Sequence, residues 1–257
     1  MTLLRVEALE KRYGGVHAVR AVSLDVSAGE LVALIGPNGA GKSTTFGMVG
    51  GQIRPTAGRV VLAGVEVTGL SPQRMARLGV GRTFQVAAAF TSMTVIGNVQ
   101  VALAAHRGRS RSLWPAARLL FRDDAEAILE QVGISDLADK SCSALAYGDV
   151  KRAELAVALA GKPRLLLMDE PMAGMAPQER GALMIMIAGL ARANGIGVLF
   201  TEHDMEAVFT HADRILVLVR GAVIAAGSPD QVRSDPEVRR AYLGEIGAVA
   251  ADRVVHA

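Results

Sequence analysis

Leu31 to Thr44 reads LVALIGPNGAGKST. The apolar run Leu31 to Ile35 has the length and character of a strand buried on both faces. A glycine-rich loop follows from Gly36 through Pro37, Asn38, Gly39 and Ala40 to Gly41, and Lys42, Ser43 and Thr44 then open a helix. Strand, G-x-x-x-x-G-K-S, helix is the order that cradles a phosphate chain. The chemistry asks for each part. A triphosphate packs several negative charges into a small volume. Backbone N–H groups at a helix N-terminus can surround it only where no side chain intrudes, hence the glycines. Lys42 adds a mobile positive charge for the outer phosphates. Ser43 offers a hydroxyl to Mg²⁺, which keeps most of its water and takes few protein ligands. A plain turn between strand and helix would not need lysine and serine directly after the last glycine. The stretch points to a nucleoside triphosphate and leaves open what its energy is used for.

The chain has 257 residues, enough for one large domain carrying a smaller inserted subdomain. Hydrophobic residues make up 51%, which raises the question of a membrane span. The longest stretch without a formal charge, Thr83 to His106, carries Gln85, Thr91, Ser92, Thr94, Asn98 and Gln100 and is a poor lipid-facing helix. Alanine and doubly buried parallel strands account better for the mean hydropathy of +0.31. Arg5, Glu7, Glu10 and Lys11 break up any apolar N-terminal run, so no secretory signal is expected. A single cysteine, Cys142, excludes an internal disulfide and fits a reducing cytoplasm. The net charge of +3 is mildly basic, but with 4% aromatic residues there is no stacking platform, and nucleic acid is not an expected partner.

Outward from the quoted stretch, Leu3 to Leu9 alternates weakly and reads as an edge strand, and Val19 to Val26 as a second strand. After the phosphate-loop helix, which ends near Gly50-Gly51, Arg59 to Leu62 and Val65 to Val67 form a hairpin. An antiparallel portion therefore brackets the phosphate-loop strand. Pro72 to Leu78 is a short helix with Ser71 as N-cap, and Val80 to Phe84 a strand ending at Gln85. Residues 86 to 160 read as helices and loops. Ala125, Ile128, Leu129 and Val132 keep helical spacing up to Gly133, Arg107 to Arg111 is a solvated basic loop, and Trp114 packs on a helix starting at Pro115. Strands at Leu165 to Met168, Val198 to Thr201 and Ile215 to Val219 then alternate with helices at Pro177 to Asn194 and Met205 to His211. That pattern gives a parallel sheet with helices on its faces. Gly221 and Gly227 bound a small hairpin, and residues 247 to 257 form a patternless tail.

The strand Leu165 to Met168 ends in Asp169 and Glu170. By itself such a pair would simply close a strand. After a phosphate-binding loop, Asp169 is placed to hold Mg²⁺ through water, and Glu170 to polarise a water for attack on the γ-phosphate.

Further positions accumulate at matching spacings, and here the chain resembles the ATP-binding subunit of an ABC transporter. Gln85 matches the family's Q-loop. Leu145-Ala146-Tyr147-Gly148-Asp149 stands where the family has its LSGGQ signature. His203, after Thr201-Glu202, matches the switch histidine, and Tyr13 the aromatic that stacks on adenine. The resemblance runs from about Leu3 to Gly244. It implies an α/β P-loop fold with a parallel RecA-like core (residues 1–85 and 161–246, with an antiparallel β subdomain) and an inserted helical signature subdomain (86–160). It implies ATP and Mg²⁺ as cofactors, with Ser43, Gln85 and Asp169 toward the metal. It implies a head-to-tail pair of ATPase subunits, identical or not, in which Ala146 and Gly148 reach the partner's nucleotide. His203 holds the γ-phosphate and orients the water of Glu170, while Lys42 and Gln85 complete the catalytic set. It also implies transmembrane permease partners, a periplasmic solute-binding protein served indirectly, and a place on the inner face of the cell membrane.

Within the family the phrases GVGRTFQ (79–85), MTVIGNVQVA (93–102), EHDM (202–205) and RRAYLGE (239–245) are most similar to the ATPases of branched-chain amino-acid importers. Importers of urea, amides or aromatic acids, lipid or lipopolysaccharide exporters, and ABC ATPases without a transport role remain alternatives. The chain departs from the family pattern in three places. In the signature, Ala146 lacks a hydroxyl and Asp149 brings a carboxylate toward the partner's phosphate, with Lys151 and Arg152 expected to offset it. Ala176 replaces the usual Asp or Asn before Pro177, and Gly97 a frequent Glu.

Overall fold

Alternation along single strands sorts the core. In β3 (Leu31–Ile35), Val32 and Leu34 face one side of a sheet and Leu31, Ala33 and Ile35 the other, all buried. β7 (Leu165–Asp169) and β8 (Gly197–Thr201) divide in the same way. Leu165, Leu167 and Leu199 join the first side, and Leu166, Met168, Val198 and Phe200 the second. The computed structural model describes residues 2–83, 90–108 and 121–243. Gln85, Trp114, the end of the basic loop and the tail lie outside the described residues.

The main sheet has six strands in the order β10-β9-β3-β8-β7-β6, where β6 is Val80–Thr83, β9 Arg214–Val219 and β10 Ala222–Gly227. All run parallel except β10, which returns antiparallel to β9 as the expected terminal hairpin. One face is covered by α3 (Val95–His106), α4 (Arg122–Gln131), α5 (Tyr147–Ala160), α6 (Pro177–Asn194) and α7 (Met205–His211), in one apolar cluster with Leu103, Leu129, Leu155, Ile187 and Val208. The other face meets α1 (Lys42–Val49), with Phe46 fully buried, and a second sheet. Helices thus cover one face and mainly β structure the other. Burial from both sides accounts for the high hydropathy. Among the described residues no helix is long and apolar enough to cross a membrane. Two polar residues of the uncharged stretch tie down backbone: Thr94 caps α3 through the Gly97 amide, and buried Asn98 bonds the Phe90 main chain.

The second sheet is antiparallel, ordered β2-β1-β4-β5, with β1 Thr2–Tyr13, β2 Val16–Ser27, β4 Ala57–Leu62 and β5 Val65–Glu66. This corrects the reading of Leu3 to Leu9 as an edge: β1 pairs on both sides. Its alternation is weak because the register shifts between Val6 and Leu9, where Ala8 takes a φ of 45°. That is the signature of a bulge rather than of a half-paired strand. α2 (Pro72–Arg77) and α8 (Pro229–Ser234) are short helices, and α9 (Pro236–Val238) is a single turn.

α6 starts from Ala176 in an extended conformation and has no capping side chain. Its first amides therefore lack the acceptor that Asp would supply. Ala176→Asp should stabilise the fold by about 1 kcal/mol, read as a rise in Tm of roughly 2–4 °C. An unchanged or lower Tm would show that these amides already have partners.

Candidate nucleotide-binding site

The carboxyl ends of the parallel strands β3, β7 and β8 open on one crevice, where sheets of this kind bind ligands. After β3 the chain must turn tightly against β9. A methyl group at Gly36 would lie 2.1 Å from the Leu218 carbonyl oxygen, and one at Gly41, with φ 101°, would lie 2.7 Å from that of Ala18. Only glycine fits either place. Gly41 is the N-cap of α1 and offers no side chain, so the first amides of α1 face the loop unoccupied by a cap. Asn38 and Gly39 are exposed at the loop's tip, and Ala40 is buried beneath it. Ser43 is exposed at the start of α1, with Thr44 beside it.

Lys42 is largely buried and folds back on its own loop, its Nζ donating to the Gly36 carbonyl at 2.6 Å and that of Pro37 at 3.2 Å. Burial lowers its pKa, while the charges of Glu170 and Asp169 work the other way.

The parallel pairing of β7 with β8 sets Asp169 opposite Thr201. The Thr201 hydroxyl donates to Asp169 Oδ1 at 2.6 Å, and on the other side the Arg82 guanidinium lies 4.0 Å from Oδ2. Arg82 reaches back from β6 to the Gln52 side chain at the end of α1. The next residue on each strand leaves the sheet. Glu170 takes a φ of 50°, its amide held by the Thr201 hydroxyl and carbonyl, each at 3.1 Å. His203 Nε2 then sits 3.0 Å from Glu170 Oε1. With Glu170 ionised, that bond puts the proton on Nε2. The arrangement can hold an anion at Lys42 and the α1 amides, and it can activate a water at Glu170 with a histidine aimed at the same spot. Ser43 and Asp169 are oxygen donors of the kind a hard cation takes. Among the described residues no cluster of three or more His, Cys, Asp or Glu could hold a metal ion by itself.

Tyr13 lies at the end of β1, about half exposed, with the Lys11 ammonium 5.0 Å from its ring centre. Ala146 and Gly148 sit elsewhere, at the start of α5, whose N-cap Ala146 gives no side-chain bond. Gly148 faces the Glu179 carboxylate of α6, and the Tyr147 ring packs on Gly174, where a methyl would meet it at 3.1 Å. Asp149 is paired with Arg152 at 4.0 Å. Lys151 does not offset it, contrary to the sequence reading. It is buried, bonded to Glu154 at 3.2 Å and lies under the Tyr147 ring. The two basic residues are consecutive on the helix, and the rotation of about 100° between neighbours sends them in different directions.

The sequence alone does not mark Thr201, Glu202 and Arg82 as site residues. Buried Glu202 accepts the Met172 amide at 2.7 Å and that of His203 at 3.1 Å. The available signal was an acid directly before the histidine, in a position that follows a buried strand.

Residues 19–173 match the family model described as ABC transporter, and residues 222–247 match one described as branched-chain amino acid ATP-binding cassette transporter. The chain is 41% identical over 250 residues to the high-affinity branched-chain amino acid transport ATP-binding protein BraF of Pseudomonas aeruginosa, covering 95% of this chain and 98% of that one. It is 38% identical over 245 residues to the lipopolysaccharide export system ATP-binding protein LptB of Haemophilus influenzae, with the same coverage of each. Among solved structures, an ATP-binding cassette of an ABC transporter in its ADP conformation superposes with a TM-score of 0.83 at 31% identity, covering 95% of this chain and 99% of that one. With a phosphate loop, an acid pair and a facing histidine at one sheet crevice, the chain belongs to the ABC transporter family as an ATP-binding, ATP-hydrolysing subunit.

Proposed function

We propose that this ATPase energises the uptake of branched-chain or closely related amino acids through membrane permease partners. The observation that carries the solute class is the match of residues 222–247 to the branched-chain amino acid cassette model, a region outside the shared ATPase motifs. The site supports the chemistry. Gly36 to Thr44 hold the phosphates of ATP, and Tyr13 stacks on the base. Ser43 and Asp169 hold Mg²⁺, which when bound offsets the charge developing on the phosphates. Glu170 orients a water whose oxygen bonds to the γ-phosphorus as the bridging P–O bond breaks. ADP leaves, and the water's proton passes to Glu170. His203 holds both Glu170 and the γ-phosphate. Gln85 belongs to this set by its motif. We read residues 86–160 as the helical unit that carries the signature and meets the permease, with the chain peripheral on the inner membrane face. Loss of the protein from its own cells should abolish ATP-dependent uptake of labelled leucine, isoleucine and valine, restored by the wild-type chain and not by Glu170→Gln. Intact uptake with a lipopolysaccharide defect in the envelope would favour the exporter reading instead, to which the 38% identity lends weight.

ATP between the phosphate loop of one subunit and the signature of another would bring Asp149 toward a highly charged anion. Arg152 neutralises it only at 4.0 Å, across a partly exposed pair. Like charges repel more as water is excluded. In a Glu170→Gln background, Asp149→Gln should tighten the ATP-dependent dimer by about tenfold, on the order of 1 kcal/mol. Analytical ultracentrifugation at saturating ATP reads this. Equal or weaker dimerisation would mean that Asp149 faces away from the nucleotide.

A further inference from the structure

We infer that Glu202 is a positioning residue, which with Arg180 binds the loop carrying Glu170 and the loop carrying His203 into one body. The inference rests on the roles proposed above for Glu170 and His203. Its geometry is independent of them. Glu202 follows β8 and is 4% exposed. A carboxylate so placed is costly, and burial pushes its pKa up. Its two oxygens are not spent on one strand end. Oε1 accepts the Met172 amide, in the loop that leaves Glu170, and Oε2 accepts the His203 amide, in the loop that follows β8. A single side chain thus spans the backbones of the two segments whose side chains meet 3.0 Å apart.

From the outside, Arg180 of α6 repeats the connection. Its Nε donates to the Met175 carbonyl at 3.0 Å, in the first loop, and its Nη1 to Asp204 Oδ2 at 2.8 Å, in the second. Asp204 Oδ1 in turn caps α7 at the Ala207 amide, and the bond from Arg180 holds the Asp204 carboxyl below its ordinary pKa. A carboxylate whose only task was to satisfy stray amides would not need an outer counterpart joining the same two loops. The pair of ties fixes the distance between acid and histidine, so that a push on residues 171–176 moves both together.

The test separates placement from folding. Glu202→Gln keeps the shape but sets an amide donor against one of the two backbone N–H groups. In the purified chain it should lower kcat by about tenfold to 10²-fold, the effect of shifting a catalytic group by roughly an ångström, with KM for ATP and the calorimetric Kd for ATP unchanged within about twofold. Arg180→Met cuts the outer tie without touching the core and should lower kcat several-fold, again with KM unchanged. The inference is overturned if kcat of Glu202→Gln stays within about twofold of wild type. It is also overturned if kcat, ATP affinity and Tm fall together while Arg180→Met is inert, for then Glu202 only holds the fold. Glu170→Gln in the same assay tells the two failures apart. If it is inactive and Glu202→Gln is not, this inference alone fails. If it turns over normally, the site assignment fails and the inference goes with it.

Discussion

Glu170→Gln should bind ATP as the wild type does and lose at least about 10²-fold in steady-state turnover, the lower end of what a positioned general base contributes. The substitution is close to a pure removal of basicity. Gln has the same length, and its carbonyl oxygen can still accept from His203 Nε2, the bond that Glu170 makes at 3.0 Å. The main-chain ties of residue 170 to Thr201 do not involve the side chain and should hold the loop where it is. Lys42 and the α1 amides, on which the phosphates depend, come from a different strand. What the amide cannot do is take the proton of the attacking water. Steady-state ATPase rates beside calorimetric ATP affinities check both halves of the expectation. Near-normal turnover would place the base elsewhere.

Lys42→Ala should weaken ATP binding by about 10- to 150-fold, the 1.5–3 kcal/mol range of a hydrogen bond to a charged group. In the chain as it stands the ammonium serves its own loop, bonded to the Gly36 and Pro37 carbonyls. Alanine removes the positive charge that meets the outer phosphates, and it also leaves those carbonyls without their donor. Arginine is no substitute, because its planar fork is larger than the pocket that Lys42 fills at 8% exposure. Titration calorimetry with ATP reads the loss. Unchanged affinity would contradict the phosphate-loop reading at its central residue.

The strands of the parallel sheet and the phosphate loop were legible because their signals are local. An apolar run, a glycine spacing and a Lys-Ser pair each lie within a few neighbours. The position of β1 was not, since an interrupted alternation looks the same in an edge strand and in a bulged inner one; the partners β2 and β4 decide it. The set Lys42, Asp169, Glu170 and His203 could be named from motif order, but the ties that fix their geometry could not. Thr201 meets Asp169 and Glu202 meets the Met172 amide only because β7 and β8 pair in one register, which joins residues about thirty positions apart. Lys151 was misjudged for a related reason. Two residues after Asp149, it lies on a different side of the helix, and buried Glu154 holds it there.

The walls that crowd Gly36 and Gly41 are main-chain oxygens, of Leu218 and Ala18. Every amino acid carries that oxygen, so residues 18 and 218 can change identity without altering the space they leave. By the same token, no exchange at 18 or 218 could make room for a side chain at 36 or 41. A mutation at either glycine therefore has no second-site suppressor in the residue that obstructs it. For an evolving lineage these two positions are dead ends.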